Sequence, residues 1–544
     1  MNEVGAKEND KNLISETSVV NIQVHIGVFF DGTNNNANNN KWYDWFKLNC
    51  FVEKDHALNN TIVLDKDLNI SNPAILSSLF ISRENNMSKE SHDKYLHVYI
   101  EGSGANGFQA QNQLLDFAIN GKPVKGLGFG LGSTGVVAKV SKAIKYIGDR
   151  IRIEEKNANT IIDYIHFYVF GFSRGSTCSR LFSYIIARNA NVEKEESIGI
   201  LDKEKEFDKY LSRRYFKKGK VCFLNAYKGK MTVDFLGIYD TVSAIGFLKE
   251  EDNKVNKLRT ALLYDSDFWG NFHKENVKAY GLYSPTLPEV LSTCHICAMD
   301  EFRANFALTD IGSAINDKSI ELFIPGCHSD IGGGYTKDSK AEIKTLLKSI
   351  DNRDTQMCIN HPTNNNAKWE LLSIELLKKM GWVPNKEIGL GSKAKDDGIE
   401  FIHTPKPENQ YSNIALKFMY ERALLKAPEL KNLFSKYPDD IYPIPKDLED
   451  MYKTITRVIE KSGRYCYLFK GYSSTEYKKV RERYLHFTST VTLHSIGDIG
   501  NPPGRKVEGT YTNICRLIYH GDKNDANVHY MQDYNSNINM INDD

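Results

Sequence analysis

The sequence predicts an α/β fold: a central, mostly parallel sheet over residues 21–345, followed by a mainly helical accessory region over residues 346–544. Three observations lead there. The apolar run at 161–170 passes directly into Gly171-Phe172-Ser173-Arg174-Gly175 and then into a helical pattern, which makes a strand, a sharp turn and a helix in succession. Further apolar runs of strand length end in polar or glycine-bearing turns at Asp31, Glu101, Asp240 and Pro325. Beyond about residue 346 the period changes, and apolar residues recur three and four apart over 369–380, 414–425 and 448–459.

Composition bounds the function. With 544 residues, 41% hydrophobic and 26% charged, the chain has ample material for a large core. Lys+Arg 70 against Asp+Glu 69 leaves a net charge of +1, so no basic field marks a nucleic-acid partner. Residues 1–20 are polar and mixed in charge; they read as a flexible tail without the apolar core of a signal peptide. No run reaches the roughly 20 apolar residues of a membrane span, so a membrane would be met from outside. The expectation is a protein made in the cytoplasm and exported, if at all, by a route other than the general secretory one. Nine cysteines at irregular spacing give no disulfide framework. The pair in Cys294-His295-Ile296-Cys297 lies in an apolar run with no second pair to complete a zinc site, and reads as buried thiols.

Taken in order, residues 21–30 alternate Ile22, Val24, Ile26 and Val28 with other residues and end in Asp31-Gly32-Thr33, a strand delivering a tight polar loop. The asparagine-rich 34–40 has linker composition, and Trp42, Tyr43, Trp45 and Phe46 cluster behind it. A strand at 95–100 ends in Glu101-Gly102-Ser103-Gly104. The glycine-dense 126–135 contains the spacing of a dinucleotide fingerprint, but Gly121-Lys122-Pro123-Val124-Lys125 before it is no strand, so no nucleotide cofactor is expected. A helix follows with Val136, Val140, Ile144 and Ile147 on one face. Residues 191–220 are densely charged, as solvated faces are. A buried strand at 233–239 ends in Asp240-Thr241-Val242. Residues 243–290, with Tyr264, Phe268, Trp269 and Phe272, form an insertion that is either a lid or a satellite core. The strand at 320–324 then runs into a loop from Pro325 to Tyr335 whose three consecutive glycines, 332–334, mark a close backbone approach.

The Gly-x-Ser-x-Gly turn has the form of a nucleophile elbow: the serine takes a strained conformation, and its neighbours must come close without a Cβ. Cys178, Leu181, Phe182, Ile185 and Ile186 give the following helix one face for a sheet, while its N-terminus points at Ser173. A serine hydroxyl needs a base held in one tautomer by an acid. Asp240 and His328 both follow buried strands, and Ser173, Asp240, His328 is the α/β-hydrolase order along the chain. His295 and His486 are alternative bases, and Asp330 is an alternative acid. The Arg174 amide is one oxyanion donor by position, and the loop Asp31-Gly32-Thr33 offers the second through Gly32 or Thr33.

Five blocks together resemble an α/β-hydrolase family whose best-known bacterial members are antibacterial phospholipase effectors of the type VI secretion system. They are Phe29-Phe30-Asp31-Gly32-Thr33, Gly102-Ser103-Gly104, Gly171-Phe172-Ser173-Arg174-Gly175, residues 235–242 and residues 325–335. The resemblance covers about residues 22–340. It implies Ser173 as nucleophile, Asp240 as acid and His328 as base, without metal or cofactor. It also implies a membrane-phospholipid substrate met by peripheral contact, a secretion spike as carrier, a cognate immunity protein, and action in the periplasm or at the membranes of target bacteria. Two other classes remain on the residues alone: an esterase or thioesterase on a soluble acyl substrate, and a non-catalytic module that binds a partner.

Overall fold

The computed structural model describes residues 19–33, 35, 70–80, 93–103, 135–156, 160–190, 223–243, 276–277, 280–301, 306–314, 318–335, 343–348, 398–403, 407–462, 475–486, 516–522 and 528–530. Its centre is six strands: β1 (Val20–Phe30), β2 (Lys94–Ile100), β3 (Thr160–Phe172), β4 (Met231–Tyr239), β5 (Thr293–Ala298) and, after the short β6 (Leu308–Thr309), β7 (Ile320–Ile324). They lie in the order β2-β1-β3-β4-β5-β7, and every pairing is parallel. Strands buried on both faces read as near-continuous apolar runs, which is what the sequence displays.

Register decides where the chemistry sits. Phe30 pairs with both Ile100 and Gly171, Phe172 with Tyr239, Tyr239 with Ile296, and Ala298 with Ile324. The C-terminal ends of the strands therefore line up, and the turns after β1, β3, β4, β5 and β7 gather on one edge. Ligand sites of open α/β sheets form along that edge.

One face of the sheet is covered by α2 (Val136–Glu155) and α3 (Arg174–Ala190), which follow Gly135 and the elbow. Ile22, Val24, Ile26 and Val28 of β1 pack there with Val140, Ile144, Leu181 and Phe182. Arg180 of α3 is buried too, and its guanidinium donates to the carbonyls of Leu282, Thr309 and Asp310 at 2.6–2.9 Å. The opposite face is covered by α1 (Asn72–Leu79) and by elements from much later in the chain, α5 (Ser412–Lys426) and α6 (Glu449–Ser462). Phe29, Tyr168, Phe170, Phe235 and Ile296 pack in one cluster with Ile414, Met419, Leu430 and Ile455. Each such buried side chain contributes roughly 1.5–3 kcal/mol. The helices beyond residue 345 thus share the core of the sheet.

The C-terminal region carries more strand than its periodicity suggests. A hairpin-like pair, β8 (Ile343–Lys348) and β9 (Gly398–His403), runs antiparallel. Farther on, β10 (Leu517–Tyr519) pairs antiparallel with β11 (Val528–Tyr530) and parallel with β6. Strands this short leave no period to detect. β5 is likewise a central strand where the sequence shows only an apolar run. No helix among the described residues is long and apolar enough to cross a membrane. The asparagine-rich loop other than Asn35, the aromatic cluster at 42–46, the glycines at 126–132, the charged 191–220, most of the insertion at 243–290 and the helix expected at 369–380 lie outside the described residues.

Candidate active site

The strand-to-helix turn is built as the sequence requires. Ser173 sits between β3 and α3 with φ 61°, a left-handed conformation that an L-residue holds only when its surroundings enforce it. Its amide donates to the Tyr239 carbonyl at 3.0 Å, and its carbonyl accepts from Val242 N–H at 3.3 Å. Both flanking glycines are obligatory: a Cβ on Gly171 would strike the Gly175 carbonyl, and one on Gly175 the carbonyls of Phe30 and Asp31. The elbow is therefore wedged against the ends of β1 and β4.

Asp240, at the end of β4, is the other non-glycine residue of positive φ among the described residues, at 44°. Ser176 and Thr177 of α3 bond the carbonyls of Tyr239 and Val242, each at 2.7 Å, and so pin the turn that carries it. Oδ1 accepts from Ala298 N–H at 2.8 Å, and Oδ2 faces His328 Nδ1 at 2.5 Å. The Arg516 guanidinium closes on both oxygens, with Nη1 2.5 Å from Oδ1 and Nη2 2.8 Å from Oδ2. Burial alone would raise this carboxyl. The Arg516 charge and the His328 contact overcome it and hold Asp240 well below the usual carboxylate range.

His328 opens α4 (His328–Gly332), a short helix capped by Cys327 and by the Asp330 carboxylate. Its ring lies between those of Phe172 and Phe306, with centroids at 4.5 and 4.9 Å. Phe172 immediately precedes Ser173, so this packing seats the imidazole beside the elbow. Facing the Asp240 carboxylate, Nδ1 is placed to donate to it. The His328 amide donates to Glu301 Oε2 at 3.2 Å, which fixes the start of the helix. The glycines after His328 serve packing and direction. A Cβ on Gly332 would enter the Phe172 ring, and Gly333 and Gly334 have φ of 78° and 110°.

The alternatives have other partners. His295, on β5 and fully buried, holds Glu321 through Nδ1 at 2.6 Å and accepts the Thr241 amide at Nε2, 3.1 Å away. Its Nε2 is thus committed beneath the Asp240 turn. His486 pairs through Nδ1 with Asp330 at 2.7 Å and stacks on Tyr335 at 3.6 Å. Asp330 is accordingly spent on His486 and on the cap of α4, away from the His328 ring nitrogens. Cys294 and Cys297 are buried and in no disulfide. Ligand atoms of His295, Cys297 and Glu321 lie within 4.8 Å of one another, but both His295 nitrogens are already engaged, so the trio fits a hydrogen-bonded support better than a metal centre.

On the oxyanion side the two candidate loop residues have different partners. The Gly32 amide donates to Asp31 Oδ1 at 2.7 Å and is occupied there. The Asp31 carboxylate also accepts from Tyr99 at 2.5 Å and from Ser71; burial still raises it above the usual range. Thr33 is held by its hydroxyl, which accepts from Arg174 Nε at 2.7 Å, while its amide makes no hydrogen bond among the described residues. Of the two candidate amides, that of Gly32 is taken by Asp31, and Thr33 is tied to Arg174 at the N-terminal end of α3.

Arg516, Glu301 and Glu321 escape a motif search because each lies in no recognisable pattern. The one available signal is a lone arginine inside the apolar Ile514-Cys515-Arg516-Leu517-Ile518-Tyr519, since a charge in such a run is normally paired when buried.

Comparison with known proteins places the chain in a family. A family profile described as "T6SS, Phospholipase effector Tle1-like, catalytic domain" matches residues 25–353. A search of curated protein sequences finds no significant match. Among solved structures, the Tle1 effector bound to the VgrG spike from the Type 6 secretion system aligns with TM-score 0.48 and 21% identity, over 87% of this chain and 85% of that one. An uncharacterized protein from Pseudomonas aeruginosa aligns with TM-score 0.32 and 15% identity, over 81% of this chain and 51% of that one.

Proposed function

Because the chain belongs to the Tle1-like phospholipase effectors of the type VI secretion system, through their catalytic domain, we propose that it is a serine hydrolase cleaving acyl esters of membrane phospholipids. Ser173 Oγ attacks the ester carbonyl as His328 Nε2 takes its proton. Asp240, bonded to Nδ1, keeps the imidazole in the required tautomer and stabilises the imidazolium. The amides of Arg174 and Thr33 receive the tetrahedral oxyanion. Collapse breaks the ester bond, the proton passes from His328 to the lysolipid oxygen, and the acyl group stays on Ser173. Water, deprotonated by the same imidazole, then releases the fatty acid and restores the serine.

The observation that carries this proposal is the 2.5 Å contact of His328 Nδ1 with Asp240 Oδ2, beside a left-handed Ser173 on a strand-turn-helix. Family membership supports a spike protein of the type VI system as carrier, a cognate immunity protein, and action at the membranes of target bacteria. Contact with lipid is proposed to be peripheral. The test is fatty-acid release from mixed phospholipid vesicles by wild type and Ser173→Ala, with lysolipids identified by mass. Loss of roughly 10³-fold or more in the variant is expected, and the products assign the cleaved chain. Equal release by both proteins would remove Ser173 from the mechanism, and release from soluble esters alone would replace the substrate.

A further inference from the structure

The matched catalytic domain ends at residue 353, yet three buried basic side chains from beyond it reach carboxylates around the His328 loop. Arg481 of α7 (Thr475–Tyr484) donates to Asp300 at 2.7 Å, and both are fully buried. Asp300 in turn accepts Gly326 N–H at 2.8 Å, at the root of the loop. His486 pairs with Asp330 on α4 itself. Arg516, just before β10, clasps Asp240.

The third contact touches the chemistry. Arg516 is fully buried, and its other bonds go to the carbonyls of Ala298 at 2.5 Å and Phe306 at 3.0 Å. Ala298 ends β5, and Phe306 places its ring on His328. The guanidinium is thus fastened on one side to the sheet and on the other to the carboxylate and a wall of the imidazole pocket. Planar, bidentate and always charged, it does what a lysine cannot: it fixes the carboxylate plane as well as its ionisation.

We infer that Arg516 is a positioning residue for the proposed triad, holding Asp240 ionised and aimed at His328, so that the C-terminal segment completes the catalytic site. The inference rests on the triad assigned above. Its electrostatic consequence has a definite sign. Among the described residues, the groups facing the pair include Arg516 and the Ala298 amide on Asp240, Glu301 at the His328 amide and within the field of Arg516, Cys297 nearby, and Asp330 on α4, paired with His486. Removing the Arg516 charge makes it easier for the Asp240–His328 pair to bind a proton, whichever member holds it. The acid limb of activity must then move to higher pH.

The test is the rate at which a fluorophosphonate labels Ser173 from about pH 5 to 9, in the full chain, with thermal unfolding to confirm folding. Arg516→Met should raise the midpoint of the acid limb by about one pH unit or more and lower the plateau roughly tenfold or more. Arg516→Lys, which keeps the charge and loses the clasp, should lower the plateau with little movement of the limb. In an Asp240→Asn background either change should add almost nothing, because the charge being held is gone. A folded Arg516→Met with wild-type limb and plateau would overturn the inference. So would losses that simply add in the Asp240→Asn background, which Arg516→Lys can report if the methionine variant does not fold. The two levels separate cleanly: wild-type labelling by Asp240→Asn sinks the triad itself, whereas a slow Asp240→Asn with unaffected Arg516 variants sinks only the role of Arg516.

Discussion

His328 Nδ1 lies 2.5 Å from Asp240 Oδ2, while His295, one strand earlier, turns its own Nδ1 to Glu321 at 2.6 Å. Two buried histidine–carboxylate pairs are thus present, and in the second the Nε2 of His295 is taken by the Thr241 amide. His328→Asn should lower fatty-acid release roughly 10³-fold or more with little change in unfolding temperature. His295→Asn should do the reverse, costing about 2–4 kcal/mol of stability because Glu321 is left buried without its partner, with kcat per folded molecule largely kept. Parallel activity and denaturation curves decide, and loss of turnover in a fully folded His295→Asn would move the base.

Gly175 backs onto the carbonyls of Phe30 and Asp31 so closely that no side chain fits. Gly175→Ala should force the elbow away from β1, costing about 2 kcal/mol or more and slowing fluorophosphonate labelling of Ser173. Unfolding midpoints and labelling rates that match wild type would mean the wedge is not needed.

Two histidines make stability depend on mild acid. Burial, with His166 beside it, lowers His25 to about 4, and burial also lowers His97 to about 4 against the hydrogen bond with Ser77. Unfolded, both would titrate near 6.5. Between those values the unfolded chain binds more protons than the folded one, so stability falls as pH falls from 6.5 to 4; the contribution is complete above 6.5. For His25, 4% exposed, the loss is of order 3 kcal/mol. Denaturant midpoints should drop across this window, and a flat profile would show that the rings are protonated in the fold.

The buried Arg481–Asp300 pair offers a further check on the C-terminal contacts. Arg481→Ala leaves a fully buried carboxylate without its cation and should cost about 3–5 kcal/mol. Urea unfolding measures it directly; a change under 1 kcal/mol, on the scale of about 0–1 for exposed pairs, would mean that water reaches Asp300.

Most of the sheet was legible because its strands are buried on both faces and each ends in a turn of marked chemistry. Ser173, Asp240 and His328 could be picked out for the same reason: strand ends, glycine density and chain order all concern local sequence. β5 was less legible, since Cys294, His295 and Cys297 dilute its β-branched character. Gly32 and Thr33 could not be separated in advance, because the choice turns on where the Asp31 carboxylate swings. Arg516 lay beyond local inference altogether. Its partner is 276 positions away, and only the tertiary pairing of β10 with β6 brings the two together.

Apart from α1, the helices that cover the Phe29, Phe170 and Phe235 face of the sheet come from far downstream of its last strand. During synthesis the six strands can leave the ribosome with much of that face uncovered. The stretch from Ile324 to Phe434 takes roughly 5–20 s to translate, a long interval for a nascent sheet to keep aromatic surface in water. Chaperone occupancy should therefore peak after β7 emerges and fall once α5 has docked. A chain released early would carry that aromatic surface into water, where it is prone to aggregate.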